Sequence, residues 1–166
     1  MRDFDMLAKL YDLPQPRLPD QKVKDARVRI HRPMPFDREK VSMYIREKFG
    51  NSWALEFEKA MCNTPVSCFI AVTEDKQTVG FACYDATCRG FFGPIGVSEE
   101  YRGKHVGREL LLSCLCAMRE AGSGYAVIGW VSEENAPFYR NACGALEIPD
   151  SFPGVYRDSL AKINVD

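Results

Sequence analysis

The sequence predicts an α/β domain: a mixed, mostly antiparallel sheet with one parallel strand pair and helices on both faces. Three observations lead there. Two short apolar runs, 66–73 and 78–86, flank the polar turn Glu74-Asp75-Lys76-Gln77, which is an antiparallel hairpin pattern. A long amphipathic segment, 106–121, lies between two further apolar runs, 88–97 and 125–131. That is a β-α-β crossover, and strands joined this way run parallel. Finally, a chain of 166 residues suits one domain that can bury a core without staples.

Taken in order, residues 2–12 put Phe4, Leu7, Ala8 and Tyr11 at helical spacing, so a short helix is expected there. The prolines at 14, 16 and 19 then mark an extended linker. Residues 1–24 read as an N-terminal arm, and 25–166 as the domain proper. A strand is expected over 26–32, where Val28 and Ile30 alternate with charged residues. Asp37 is positioned to cap a helix over 38–49 that Gly50 ends, and Ser52 to cap one over 53–62. The two hairpin strands and the strand 88–97 follow. In the helix 106–121, Val106, Leu110, Cys114 and Met118 recur every four residues, with Leu111 and Leu115 beside them. Residues Tyr125 to Val131 are apolar throughout, as in a strand buried on both faces. A short helix over 136–142, with Asn135 as its cap, runs into Gly144, and the tail holds one or two more strands.

Composition narrows the function. The net charge is −1, so no global basic field favours nucleic acid or an acidic membrane. No apolar stretch reaches the roughly 20 residues needed to span a bilayer, and no signal peptide is evident. The seven cysteines show no metal-ligand spacing and sit mostly in apolar runs. That pattern points to a reducing compartment, with the cytoplasm as the expected location and no metal site.

The segment richest in chemistry runs from Gly93 to Leu111. A strand ends near Val97, and a loop carrying Arg102, Gly103, Lys104, His105 and Arg108 opens into the long helix. Helix starts expose unpaired N–H groups and the positive end of the dipole. Cations at that position oppose the dipole, and Gly107 in the first turn costs about 0.8–1 kcal/mol against alanine. Both features are repaid if a bulky anion such as a phosphate binds there.

Arg102 to Leu111 resembles the coenzyme A loop of the GNAT superfamily of N-acyltransferases, which reads Arg/Gln-x-x-Gly-x-Gly/Ala and continues x-x-Leu-Leu. Arg102, Val106 and Gly107 match it, while His105 stands where the family usually has glycine. The element order from about residue 26 is also similar. The resemblance implies that strand 88–97 splays from its parallel neighbour. The backbones of Ile95, Gly96 and Val97 would then hold the pantetheine arm and acyl carbonyl, and Arg102, Gly103, Lys104, His105, Val106, Gly107 and Arg108 the pyrophosphate. Pro94, which cannot donate to a ladder, independently suggests an irregularity there. Glu134 to Ala145 is similar to the family's short helix, so Asn135, Phe138 and Tyr139 are expected beside coenzyme A. Tyr139 would protonate the departing thiolate.

The implied activity is acetyl transfer from acetyl-CoA to a primary amine by direct attack. Partners would be coenzyme A and a small-molecule amine or peptide acceptor; a homodimer is left open. An attacking amine must lose a proton. Glu56 is the candidate base, with Asp85 and Glu133 as rivals. Trp53, Tyr84, Phe91 and Phe92 are candidate walls of the acceptor pocket, and Tyr156 is a candidate to close it. His31 reads as structural or exposed. The alternatives are a non-catalytic acyl-CoA sensor and a plain phosphate-binding module, though no Gly-x-x-x-x-Gly-Lys-Ser/Thr loop supports the latter.

Overall fold

The fold follows from how each strand's apolar residues divide between two faces. The computed structural model describes residues 2–14 and 20–160. Its strands are β1 (Asp3–Lys9), β2 (Val28–His31), β3 (Cys68–Thr73), β4 (Thr78–Tyr84), β5 (Phe91–Val97), β6 (Tyr125–Ser132) and β7 (Leu146–Ile148). The helices are α1 (Gln21–Asp25), α2 (Arg38–Phe49), α3 (Asn51–Met61), α4 (Val106–Glu120) and α5 (Ala136–Cys143). The sheet order is β2-β3-β4-β5-β6-β1-β7. Every neighbouring pair is antiparallel except β5 and β6.

Two cores lie on opposite sides of this sheet. On one side α4 buries Val106, Leu110, Leu111 and Leu115 against Ala82, Phe92 and Ile128, and Tyr139 of α5 joins the same cluster. On the other side α2 and α3 bury Val41, Ile45, Ala54 and Phe57 against Ile70, Phe81 and Cys83. Among the described residues, no helix is long and apolar enough to cross a membrane.

The main correction to the sequence reading is at the N-terminus. Residues 3–9 form a strand, not the helix of an outlying arm. Phe4, Met6, Ala8 and Leu10 recur at every second position, and all four are buried. That two-residue period prevails over the helical spacing because β1 is paired on both sides, by β6 and β7. The segment therefore belongs to the sheet interior, and Val23 of α1 packs into the same core. Residues 15–19 of the expected proline linker lie outside the described residues. Helix α1 was not expected; the Asp20 carboxylate caps it by accepting from the Lys22 and Val23 N–H groups.

The remaining corrections concern caps and ends. Asp37 does not cap α2 with its side chain; it accepts from the Met34 N–H at 2.7 Å, closing a short turn before the helix. Helix α3 starts at Asn51, with Gly50 rather than Ser52 as N-cap. Asn135 precedes α5 without a side-chain cap bond. The tail supplies one strand, β7, and then a 3-10 turn at Gly154–Tyr156.

If β1 is integral to the core, Met6→Ala should lower the unfolding free energy by about 2–5 kcal/mol, as for a fully buried side chain. Urea titration measures this. A change within about 0.5 kcal/mol, typical of surface positions, would contradict the packing.

Candidate active site

The site is a gap in the sheet. Strands β5 and β6 pair only at Phe91↔Val127 and Phe92↔Ile128, and no further rung joins them. Beyond Phe92 the strand carries Gly93 and Pro94, and its register on β4 shifts between Ala82 and Tyr84. Ile95, Gly96 and Val97 stay paired to β4 opposite Ala82, Phe81 and Gly80. Their other edge faces the gap. Gly96 is needed there: a Cβ would come within 2.8 Å of the Phe49 ring and 2.9 Å of Phe81. Both α4 and α5 begin just past the C-terminal ends of the strands flanking the gap, so their N-termini bring positive potential to it.

The loop before α4 forms one wall. Gly103 has φ +74°, and His105, the N-cap of α4, has φ +61°. The left-handed conformation that glycine usually supplies is thus adopted here by histidine, at a cost of about 1–2 kcal/mol. The His105 ring turns outward and its Nδ1 lies 2.9 Å from Asp20 Oδ2, an interaction that offsets part of that cost. Arg108 lies 3.9 Å from the same carboxylate, and Arg102 lies 3.9 Å from Glu99. Lys104 sits over the Tyr101 ring at 4.8 Å. A Cβ at Gly107 would make ordinary contacts, 3.6 Å from Val97 and 3.7 Å from Phe138.

Adjacent residues of β5 point to opposite faces, and this sorts the candidate chemistry. On the α4 side, Phe92 meets Tyr139 edge-on, with ring centroids 6.4 Å apart. Tyr139 is buried, and no hydrogen bond reaches its hydroxyl from any described residue. Burial pushes its pKa well above the usual phenol value, so it stays protonated. Phe138 packs edge-on against it at 5.0 Å.

On the α3 side, Phe91 packs near Gly129 of β6, where a Cβ would come within 2.9 Å of its ring and collide with the Tyr156 hydroxyl. Glu56, half-buried on α3, accepts a hydrogen bond from Thr87 Oγ1. Desolvation raises its pKa, and the Thr87 bond only partly opposes that. The Tyr156 hydroxyl lies over Gly129, and its pKa is raised by burial and then by the Asp5, Glu56 and Cys88 charges. Tyr156 therefore reaches the gap from the tail, on the same face as Glu56.

The other candidates lie elsewhere. Glu133 pairs with Arg2 at the surface, 3.6 Å away. Asp85 accepts from the Gly90 N–H at 2.7 Å, holding the 85–90 loop. Trp53 stacks on Phe49 beside the α2–α3 core, at 5.7 Å. The Tyr84 hydroxyl accepts from Arg32 at 2.9 Å. His31 is exposed, its ring against the Arg32 carbonyl. Thr87, Gly129 and Asp5 were not legible as site residues. Only the isolated glycine within the apolar run 125–131 carried a signal of close approach.

Comparisons with known proteins agree with this geometry. Residues 33–145 match the model of the acetyltransferase (GNAT) family. One similar solved structure is the GCN5-related glucosamine N-acetyltransferase region of a fungal multi-domain GH3 β-N-acetylglucosaminidase. It is 13% identical with a TM-score of 0.69, over 88% of this chain and 20% of that one. Another is a GCN5-related N-acetyltransferase from Sphaerobacter thermophilus, 18% identical with a TM-score of 0.66, over 88% and 48%. A GNAT family acetyltransferase from Brucella melitensis in complex with acetyl-CoA is 16% identical with a TM-score of 0.50, over 67% and 80%. The chain thus spans a fifth to about half the length of the first two. At these identities the likeness is one of fold. No curated protein matches.

A carboxyl whose pKa is raised by the fold destabilises it once ionised. The penalty is absent below the ordinary glutamate range and complete above the raised pKa. Glu56→Gln should therefore melt at a higher temperature than the wild type near pH 8, and at the same temperature near about pH 4. Thermal unfolding across that range checks the sign; a variant less stable at pH 8 would mean that the ionised carboxylate is well compensated.

Proposed function

Because the chain belongs to the GNAT acetyltransferase family, and is an acyltransferase by that membership, we propose that it moves an acetyl group from acetyl-CoA to a primary amine by direct attack. The observation that carries this reading is the gap between β5 and β6, with a protonated tyrosine on one face and a half-buried carboxylate on the other.

In this reading the pyrophosphate of acetyl-CoA lies on the start of α4. Gly103, Val106 and Gly107 allow its close approach, and Arg102, Lys104, His105 and Arg108 surround it. The pantetheine arm follows the open edge of Ile95, Gly96 and Val97, with Asn135 and Phe138 on the α5 side. The acetyl-CoA in the Brucella melitensis structure supports this choice of co-substrate. The thioester carbonyl accepts from backbone N–H groups of β5, which stabilise the oxyanion as the amine adds. The amine approaches from the α3 face and releases its proton toward Glu56. The raised pKa brings Glu56 closer to the operating pH, as a general base requires. Collapse of the tetrahedral adduct breaks the C–S bond, and Tyr139 donates its proton to the thiolate on the opposite face. No acyl-cysteine is involved: Cys88, the thiol on the α3 side, has its pKa raised by burial and by Asp5, Asp85 and Glu56. The free thiols suit the reducing cytoplasm in which we place the protein.

A thiol-release assay with acetyl-CoA and a panel of amines, with mass spectrometry of the products, tests the reaction. Acetyl-CoA binding without release to any amine would leave a sensor instead.

Three variants probe the separate parts. Acetyl-CoA at about 100 times its dissociation constant should stabilise the protein by about 2.7 kcal/mol, visible as a rise in melting temperature. Gly107→Ala should keep most of that shift, since its Cβ has room. Gly107→Glu should lose it, because an anion would then face the pyrophosphate; an undiminished shift would place the phosphates elsewhere. Tyr139→Phe should leave acetyl-CoA affinity nearly unchanged and lower kcat by up to about 10²-fold, the low end for general-acid assistance. An unchanged kcat would assign the thiolate's proton to another donor.

A further inference from the structure

One carboxylate joins the starts of two helices. Asp20 Oδ1 accepts from the Lys22 N–H at 2.9 Å and the Val23 N–H at 3.4 Å, which caps α1. Its Oδ2 has other partners: it lies 2.9 Å from His105 Nδ1 and 3.9 Å from a guanidinium nitrogen of Arg108, both at the start of α4. The Asp20 side chain is only 15% exposed. Its position is fixed by Val23, which is buried in the α4-side core, and by the packing of α1 on the edge strand β2. Asp20 thus reaches the loop from the β2 edge of the sheet. Phe138 reaches it from α5, 3.7 Å from where a Cβ at Gly107 would stand.

The backbone at His105 sets the direction in which α4 begins. The Glu109 N–H donates to the His105 carbonyl at 3.0 Å. The N–H groups of Val106, Gly107 and Arg108 have no backbone acceptor among the described residues. These three donors are what the helix start offers to an anion. Their common aim depends on the φ of +61° at His105, a left-handed value that costs any residue with a Cβ. A carboxylate beside an anion site opposes the anion by its charge, so its presence there asks for a compensating benefit. Capping α1 uses only Oδ1. What Oδ2 adds is a hold on the His105 ring, and through it on the backbone that carries the ring.

We propose that Asp20 is a positioning residue for acetyl-CoA. Through Oδ2 it keeps His105 in the left-handed conformation that glycine would adopt unaided, and so keeps the Val106, Gly107 and Arg108 N–H groups aimed at the pyrophosphate. This rests on the placement of acetyl-CoA in the acetyl-transfer reading above.

Calorimetric titration of four proteins with acetyl-CoA tests it: the wild type, Asp20→Ser, His105→Gly and the double variant. Serine keeps an N-cap for α1 but is too short to reach His105. Glycine at 105 needs no partner to be left-handed. The charge lost with Asp20 is the same in both backgrounds, so it cancels in the comparison. The left-handed penalty of a residue with a Cβ corresponds to about 5- to 30-fold in affinity. Asp20→Ser should therefore weaken acetyl-CoA binding more in the histidine background than in the glycine background, by about fivefold or more. A residue that only capped α1 would lower the melting temperature in both backgrounds and leave the two affinity ratios equal. Equal ratios, or a larger loss in the glycine background, would overturn the proposal. If Asp20→Ser does not fold, His105→Ala against His105→Gly decides. Both lack the ring, and the alanine variant, left-handed without a partner, should bind acetyl-CoA about fivefold or more weakly. Equal binding by those two would overturn the proposal. A wild type that binds no acetyl-CoA would instead overturn the coenzyme A reading beneath it.

Discussion

The parting of β5 from β6 after Phe92 and Ile128 is the constraint on which the rest of the structure depends. A parallel pair in the middle of a sheet would ordinarily satisfy its backbone along its whole length. Here the edge of β5 from Gly93 to Val97 is left facing a gap, and other features of the chain accommodate that. Gly93 and Pro94 disturb the strand where it leaves its partner, and Gly96 leaves room for Phe49 and Phe81 beneath it. Two helices then begin beside the opening, so the backbone polarity given up by the ladder is matched by the polarity of two helix ends.

Strand alternation turns this opening into a site with two different faces. Phe91 and Phe92 are consecutive, yet one belongs with Tyr156 and the other with Tyr139. The α4 face offers a dry, protonated hydroxyl. The α3 face offers the Thr87 hydroxyl and the carboxyls of Glu56 and Asp5, which burial holds above their ordinary pKa values. A carbonyl lodged in the plane of the sheet would see a proton donor on one side and a proton acceptor on the other.

How much of this was legible in the sequence depends on how local the cause is. Helix α4 has an apolar face that recurs every three to four residues over 15 residues, and its span agrees with the structure to within a residue. The crossover followed from it, and so did the place of the glycine-bearing basic loop directly before the helix start. The left-handed backbone at His105 was hidden, because its compensating partner, Asp20, lies 85 residues away in sequence. Thr87 and Asp5 were hidden for the same reason: an isolated threonine or aspartate carries no pattern until the fold brings Glu56 or Trp130 to it. For β1 the fault was a competition of periods. Phe4, Leu7, Ala8 and Tyr11 fit a helix while Phe4, Met6, Ala8 and Leu10 fit a strand, and only pairing from both sides decides between them.

The place of β1 also bears on how the chain assembles. It is made before the other strands, yet its neighbours, β6 and β7, are the last two. The pairing of Lys9 with Tyr125 closes a loop of more than a hundred residues, and such distant contacts slow folding because chain entropy is lost before they form. During synthesis an apolar strand with both edges open must wait for the end of the domain to emerge. Until then its apolar face stays uncovered, and the β6 side of the gap cannot be fixed in place before β1 docks.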